Sequence, residues 1–206
     1  ILNSSGITSY FGALNIDNSN YTNFNSADRV ADGNAISLMG GTLTLTGAPG
    51  LASTESVGTV TIQQGASTIA STVGSTGTVV LTLANLVRNA GSTVNFTGTT
   101  PGVAAAGNSQ IIITSAPTLT NSLIGGWAVV NGADFASYIT PGGGAGGVGA
   151  LGATGYAAYS ANALTAGTST DNITVAASVS GVTSRTINSL RISAAATVTL
   201  TGALTI

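Results

Sequence analysis

Six acidic and four arginine side chains carry all the ionic chemistry available to this 206-residue chain, which has no Lys, His or Cys. The densest group lies in NSADRVADGN at 25–34, where Asp28 and Asp32 are flanked by Asn25 and Asn34. Hard oxygen ligands at this density are what a Ca²⁺ site uses, and Ca²⁺ takes six to eight of them. The spacing is neither that of an EF-hand nor that of a Ca²⁺-binding nonapeptide repeat, and Arg29 offers either carboxylate an ion pair. A solvated loop with a local ion pair is the reading the residues favour, with Asp28 and Asp32 a weak calcium pair.

Paired carboxylates are also the minimum for glycoside hydrolysis. Asp28 with Asp32, or Asp134 with a distant partner, are the candidates, and the remaining acids stand apart. A polysaccharide-active enzyme would need several acids and a base converging on one face, so no catalytic residue is assigned and no enzyme activity is expected. Without His no side chain titrates near neutrality unperturbed. Without Cys there is no disulfide or thiolate metal site. Four scattered arginines cannot neutralise a run of phosphates, which argues against a nucleic-acid partner. The glycine-rich PGGGAGGVGALG at 141–152 lacks the strand–helix setting and the downstream acid of a dinucleotide fingerprint. It reads as part of a flexible loop region over 140–156, and no cofactor is expected.

Aromatic side chains are the other candidates. Tyr10, Phe11, Tyr21 and Phe24 group near the start, Tyr156 and Tyr159 beside the glycine-rich stretch. On an exposed face they would stack on glycans or on a protein partner. Packing in irregular coils is the alternative.

The elements that must hold these residues are written in alternation. TLTLT at 42–46 places Leu43 and Leu45 on one face and three Thr on the other, and TVTI (59–62), TVVLTL (78–83), NITV (172–175) and TVTLT (197–201) repeat the pattern. β-Branched residues suit a pleated, half-buried surface. Gly-rich connectors such as MGG, TGAPG and GSTG separate them, and the best helical candidate is YAAYSANAL at 156–164. The chain is therefore all-β.

Between a sandwich and a β-solenoid, the self-similarity of GGTLTLTGAPG (40–50) and AATVTLTGALT (195–205) favours the solenoid. At roughly 20–25 residues per coil it would hold about eight to ten rungs with irregular loop insertions. Leu43, Leu45, Val198 and Leu200 would fill its interior. WAVV-NGAD-FASYI reads as two strands about a corner at Asn131–Gly132, with Trp127 and Phe135 as large fillers. Asn3, Asn15, Asn85, Asn89, Asn95, Asn131 and Asn188 would either stack as axial ladders or serve αL turns. Asn-x-Ser/Thr triplets at Asn3, Asn20, Asn95 and Asn172 carry little weight in so Thr-rich a chain.

No basic, apolar leader is seen, and no run approaches the ~20 apolar residues of a membrane helix. The first and last residues, ILNSSGI and TLTGALTI, read as mid-pattern and uncapped, with Ile1, Leu2, Leu204 and Ile206 as end-to-end contacts. The expectation is one solenoid over 1–206, an excerpt or stacking unit of a longer assembly.

In their order, GGTLTLTGA, VGTVTIQQGASTI, LTLANLVRNAGSTVNFTG, PTLTNSLIGGWAVVNGADFASY and DNITVAASVSGVTSRTINSLRI resemble the bacterial autotransporter-associated β-strand repeat proteins. The resemblance runs from about residue 28 onward and implies a right-handed parallel β-helix in a secreted or surface-displayed protein, serving adhesion or a structural layer. It implies no catalytic residues. The functional expectation is an extracellular or bacterial cell-surface structural protein that self-associates end to end. An adhesin that binds glycans or surface proteins through a lateral face is the second expectation, and a polysaccharide-active enzyme a distant third.

Overall fold

A computed structural model describes residues 6–20, 28–103, 107–142 and 145–206, and among them there is no helix. The chain winds into a parallel β-solenoid of about four turns. Strands β1 (Ile7–Tyr10) and β2 (Ala13–Asp17) open it, followed by β3 (Ile36–Met39) with β4 (Thr42–Thr46), and β5 (Ala52–Gln64) with β6 (Ala66–Thr72). Next come β7 (Thr78–Arg88) with β8 (Thr93–Gly98), then β9 (Ser109–Ile113) and β10 (Ala128–Val130). Odd strands stack into one parallel sheet and even strands into another.

Alternation sets the interior. Leu14, Leu43, Ile69 and Phe96 lie in register on successive turns, as do Ile36, Val60 and Leu86. Leu43 and Leu45 are fully buried in this core, as the alternation requires, while Thr42, Thr44 and Thr46 face outward and are half-buried. Each buried aliphatic side chain contributes about 1.5–3 kcal/mol from its removal from water. The core tolerates only apolar or small residues at these steps. Ser71, between Leu45 and Gly98, is fully buried with a hydroxyl that has no hydrogen-bond partner. Because an unsatisfied buried hydroxyl is costly, Ser71→Ala is expected to raise the unfolding free energy by roughly 1 kcal/mol, read from the urea midpoint at unchanged slope.

The turns are longer and fewer than periodicity suggests. Asn89 Nδ2 donates to Gln63 Oε1 at the same place on the preceding turn, 26 residues earlier in the chain. Leu14, Leu43, Ile69 and Phe96 recur at a similar spacing. In β5 the inward positions change from Ser53, Glu55 and Val57 to Val60 and Ile62, a change of phase that turns the strand round a corner. Gly58 sits at that corner against the backbone of Gly33 and Asn34, where a Cβ has no room. β3 pairs only with the second half of β5, and β9 only with the first half of β7. Long strands that serve two sides of a coil use more residues per turn, so the chain makes about four turns here and not eight to ten.

The solenoid then changes character. Asn131 and Gly132, both at positive φ (51° and 63°), reverse the chain, and the Ala133 amide donates to the Val130 carbonyl at 3.0 Å. This is the mirror-image turn that suits a right-twisted hairpin. It leads into β11 (Asp134–Gly142), antiparallel to β10, and then β12 (Ala145–Ala150), antiparallel to β11. The two-strand reading of this corner is thus right, whereas most of the glycine-rich stretch is strand and not loop, β11 reaching Gly142 and β12 spanning Ala145–Ala150. Its glycines have a packing reason: the Tyr156 ring lies where a Cβ of Gly149 would go, and the Ile111 carbonyl where that of Gly147 would. YAAYSANAL is turn and irregular backbone, with Tyr156 drawn into the core instead of onto a helix.

A second, smaller coil closes the chain. Strands β13 (Asn172–Val175), β14 (Val179–Val182) and β15 (Arg185–Thr186) pair in parallel with β16 (Ser189–Ile192), β17 (Val198–Leu200) and β18 (Leu204–Thr205). Its turns are short. The Ser189 hydroxyl donates to its register partner Asn172 across 17 residues, and the Thr201 hydroxyl to the Val182 carbonyl across 19 residues. Leu164, Ile173, Val175, Val182 and Ile187 form a separate core. Val198 is half-buried against that core, while Leu200 is 46% exposed, because two short turns enclose too little space to bury every alternate residue.

Candidate functional site

Even strands present their outward side chains in register, so residues far apart in sequence become neighbours. Thr68, Asn95 and Val129 stand side by side on β6, β8 and β10. Trp127 stands in the turn just before β10. Thr93 shares the outward face from β8, and together they border an open groove of about 490 Å³. The hairpin turn closes one side: Asn95 accepts from the Gly132 amide through Oδ1 at 2.9 Å. Trp127 is half-buried: it packs against the core, as a large filler would, and it also borders the groove. Ala128 and Val130 point inward and are buried, which leaves Phe135, the register partner of Val129, half-buried on the outer side.

The indole is held by its surroundings. The Arg88 guanidinium lies 5.4 Å from the ring centroid, a cation–π distance, while Arg88 Nε donates to the Ser92 carbonyl at 2.9 Å. Gly125, at φ 152°, leaves the space the indole occupies. Among the described residues no charged side chain lines the groove. The Thr68 and Thr93 hydroxyls, Asn95 Nδ2 and Trp127 Nε1–H donate to no other described residue. Packing is only part of the role of Trp127. The signal lay in pairing the lone Trp behind Gly125–Gly126 with Asn95, and only the register makes that pair.

Of the other candidates, Tyr10 and Phe11 are 67% and 79% exposed on the first turn. Tyr21, Phe24, Ile1 and Leu2 lie outside the described residues. Tyr156 is buried and donates to the Gly147 carbonyl at 2.9 Å, its phenol pushed up to about 12 by burial and then by Tyr138. Tyr156 therefore offers no exposed face, because the glycines of β12 admit its ring. Tyr159 is half-buried, donating to Asp134 at 3.1 Å, with its phenol pushed up to about 12 by burial and then by the Asp134 charge. Asp134 also pairs with Arg191 Nε at 3.0 Å, and Arg191 lies over the Tyr159 ring at 5.7 Å. This cluster ties the hairpin to the second coil, as do Asn121, Asn172 and Asn188: Asn121 Nδ2 donates to Asn188 at 2.9 Å and Asn188 Nδ2 to Asn172 at 2.6 Å. Leu204 is half-buried and Ile206 67% exposed at the last turn.

Asp28 and Asp32 border a carboxylate that sequence spacing did not single out. Glu55 is only 2% exposed and accepts the Arg29 and Val30 amides at 3.0 and 3.2 Å. Glu55 anchors this loop by accepting from its backbone amides, and among the described residues no group of three or more His, Cys, Asp or Glu could hold a metal ion. Burial raises the Glu55 carboxyl above its ordinary 4.5, the two amides oppose that, and the charges of Asp28 and Asp32 add to it.

Asp171 behaves oppositely. Four donors, from Ser160 Oγ, Asn162 Nδ2, the Thr168 amide and the Thr168 hydroxyl, hold its carboxyl well below the ordinary 3.8. The two signs differ. Glu55 binds its proton more tightly in the folded state, so its contribution is full below its ordinary pKa and is lost as pH rises through the raised value. Asp171 contributes fully above its ordinary pKa, and that is lost as pH falls toward the depressed value. Urea midpoints measured against pH should show Glu55→Gln flattening the decline on the rising side, and Asp171→Asn flattening the acid limb.

No family model, curated protein or solved structure matches the chain.

Proposed function

We propose that this chain is a structural β-solenoid that self-associates through its end coils, as part of an extracellular or cell-surface fibre or layer. The observation that carries this reading is where the apolar surface lies. Of the six large hydrophobic side chains exposed among the described residues, Tyr10 and Phe11 are on the first turn and Ile192, Leu200 and Ile206 on the last, leaving only Val87 between. Those same turns carry strand edges, on β1 and β2 and on β16 to β18, that pair with no other described strand. An unpaired edge is a template for strand addition. Low charge supports the reading too, because little repulsion keeps copies apart. The resemblance to autotransporter-associated repeats accords with an extended surface role.

The two ends differ in size. At the last coil the step from Asn172 to Ser189 spans 17 residues, and the step from Leu14 to Leu43 at the first is far longer. Like ends therefore match better than unlike ones. Each would meet its own copy about a two-fold axis, and the two contacts alternating would extend a fibre. Sedimentation velocity over a concentration series tests this. Association should deepen with concentration and be cut back by Leu200→Lys with Ile192→Lys, which put charge on the last edge. A monomer at every concentration, or association indifferent to both charges, sinks the reading.

A further inference from the structure

The geometry points to the Trp127 groove as a binding site for an uncharged oligosaccharide, independent of any contact at the ends. Three features of the groove select that ligand class. Its volume of about 490 Å³ falls within the roughly 300–1,000 Å³ of small-ligand sites. Its wall is a half-buried indole, an amphipathic surface that takes the apolar face of a sugar ring while leaving an N–H to donate. The strand register lines up the Thr68 hydroxyl, the Asn95 amide and Val129. Thr68, Thr93, Asn95 Nδ2 and Trp127 Nε1–H all retain hydrogen-bonding capacity that no described residue uses.

Sugar hydroxyls both donate and accept, and so match a mixed set of hydroxyl, amide and indole groups. A purely apolar ligand would leave those groups unpaired, which costs affinity. Among the described residues no charged side chain lines the groove, and the Arg88 guanidinium near it is engaged by the Trp127 ring and the Ser92 carbonyl, so an ionic ligand finds no free counter-charge. The groove is also preorganised: the ring is held by Arg88, and Asn95 is fixed through Oδ1 to the Gly132 amide, which directs Nδ2 elsewhere. Groups already fixed in place lose little entropy on binding.

Trp127 is the only Trp of the chain, so its emission reports this groove alone. The full chain is titrated with cellohexaose, laminarihexaose, maltohexaose and chitohexaose, with hexagalacturonate as the charged comparator. At least one neutral oligosaccharide should change the emission saturably. Asn95→Asp keeps the Oδ1 acceptor for Gly132 but removes the Nδ2 donors, and Thr68→Val removes a hydroxyl at constant shape. Each should weaken binding about fivefold or more, the effect of about 1 kcal/mol. Val87→Ser, on the other sheet, should leave it unchanged, with circular dichroism confirming that each variant is folded. The proposal is overturned by no response to any neutral oligosaccharide, by a response to hexagalacturonate alone, or by binding that neither Asn95→Asp nor Thr68→Val weakens.

Discussion

Phe96→Ala is expected to lower the unfolding free energy by about 3–5 kcal/mol, the usual range for truncating a buried aromatic. Phe96 heads the fully buried side chains by volume, and stands in register between Ile69 on one turn and Val130 on the next. Parallel turns stack rigidly through their backbone bonds, so the strands above and below cannot close over the vacated space. The loss should therefore combine the transfer and cavity contributions. Phe96→Leu keeps most of the volume and should cost less than about 1.5 kcal/mol. Urea unfolding monitored by Trp127 emission distinguishes the two, and equal midpoints for wild type and Phe96→Ala would contradict the packing of Phe96 between Ile69 and Val130.

The second large effect concerns Tyr138, where the larger solenoid meets its hairpin. Its phenol donates to the Ile113 carbonyl at 2.6 Å and accepts from the Ile113 amide at 3.2 Å. Ile113 is on β9, the last strand of the odd sheet, so one side chain here takes the place of a neighbouring strand. Tyr138→Phe keeps the ring and strands both backbone groups, which should cost about 1–3 kcal/mol. Tyr138→Ala adds a cavity and should approach about 3–5 kcal/mol from truncation alone. Hydrogen exchange at the Ile113 amide provides the specific readout. It should accelerate in Tyr138→Phe well beyond the change in global stability, and unchanged local protection would show that the cap has another source.

Much of the architecture was legible because β periodicity is a local property. Leu43 and Leu45 between threonines can bury only one face, and they do. The Asn131–Gly132 pair readily takes the positive φ that a tight hairpin turn requires at adjacent residues, and the chain reverses there. Other features were hidden for physical reasons. Glycines in 141–152 read as a loop because flexibility is what isolated glycine confers. Against the Tyr156 ring the same absence of a Cβ permits close packing, and that ring is distant until the chain folds. Glu55 gave no sign of joining the Asp28–Asp32 loop, because its partners there are backbone amides, which every residue has. The shortening of the turn between the first coil and the second was also concealed, since a strand's alternation does not record how many sides its coil will have.

By itself, the sequence determined the all-β character, the inward and outward faces of the strands, and the poverty of ionisable chemistry that leaves few catalytic schemes open. These follow from side-chain type and a period of two, and neither depends on distant contacts. Tertiary structure alone decided the number of turns, the division into two coils, and the meeting of Thr68, Asn95 and Trp127 across three strands. Those depend on register, which is set when aliphatic ladders from separate turns pack together, and no local stretch of the chain contains that information.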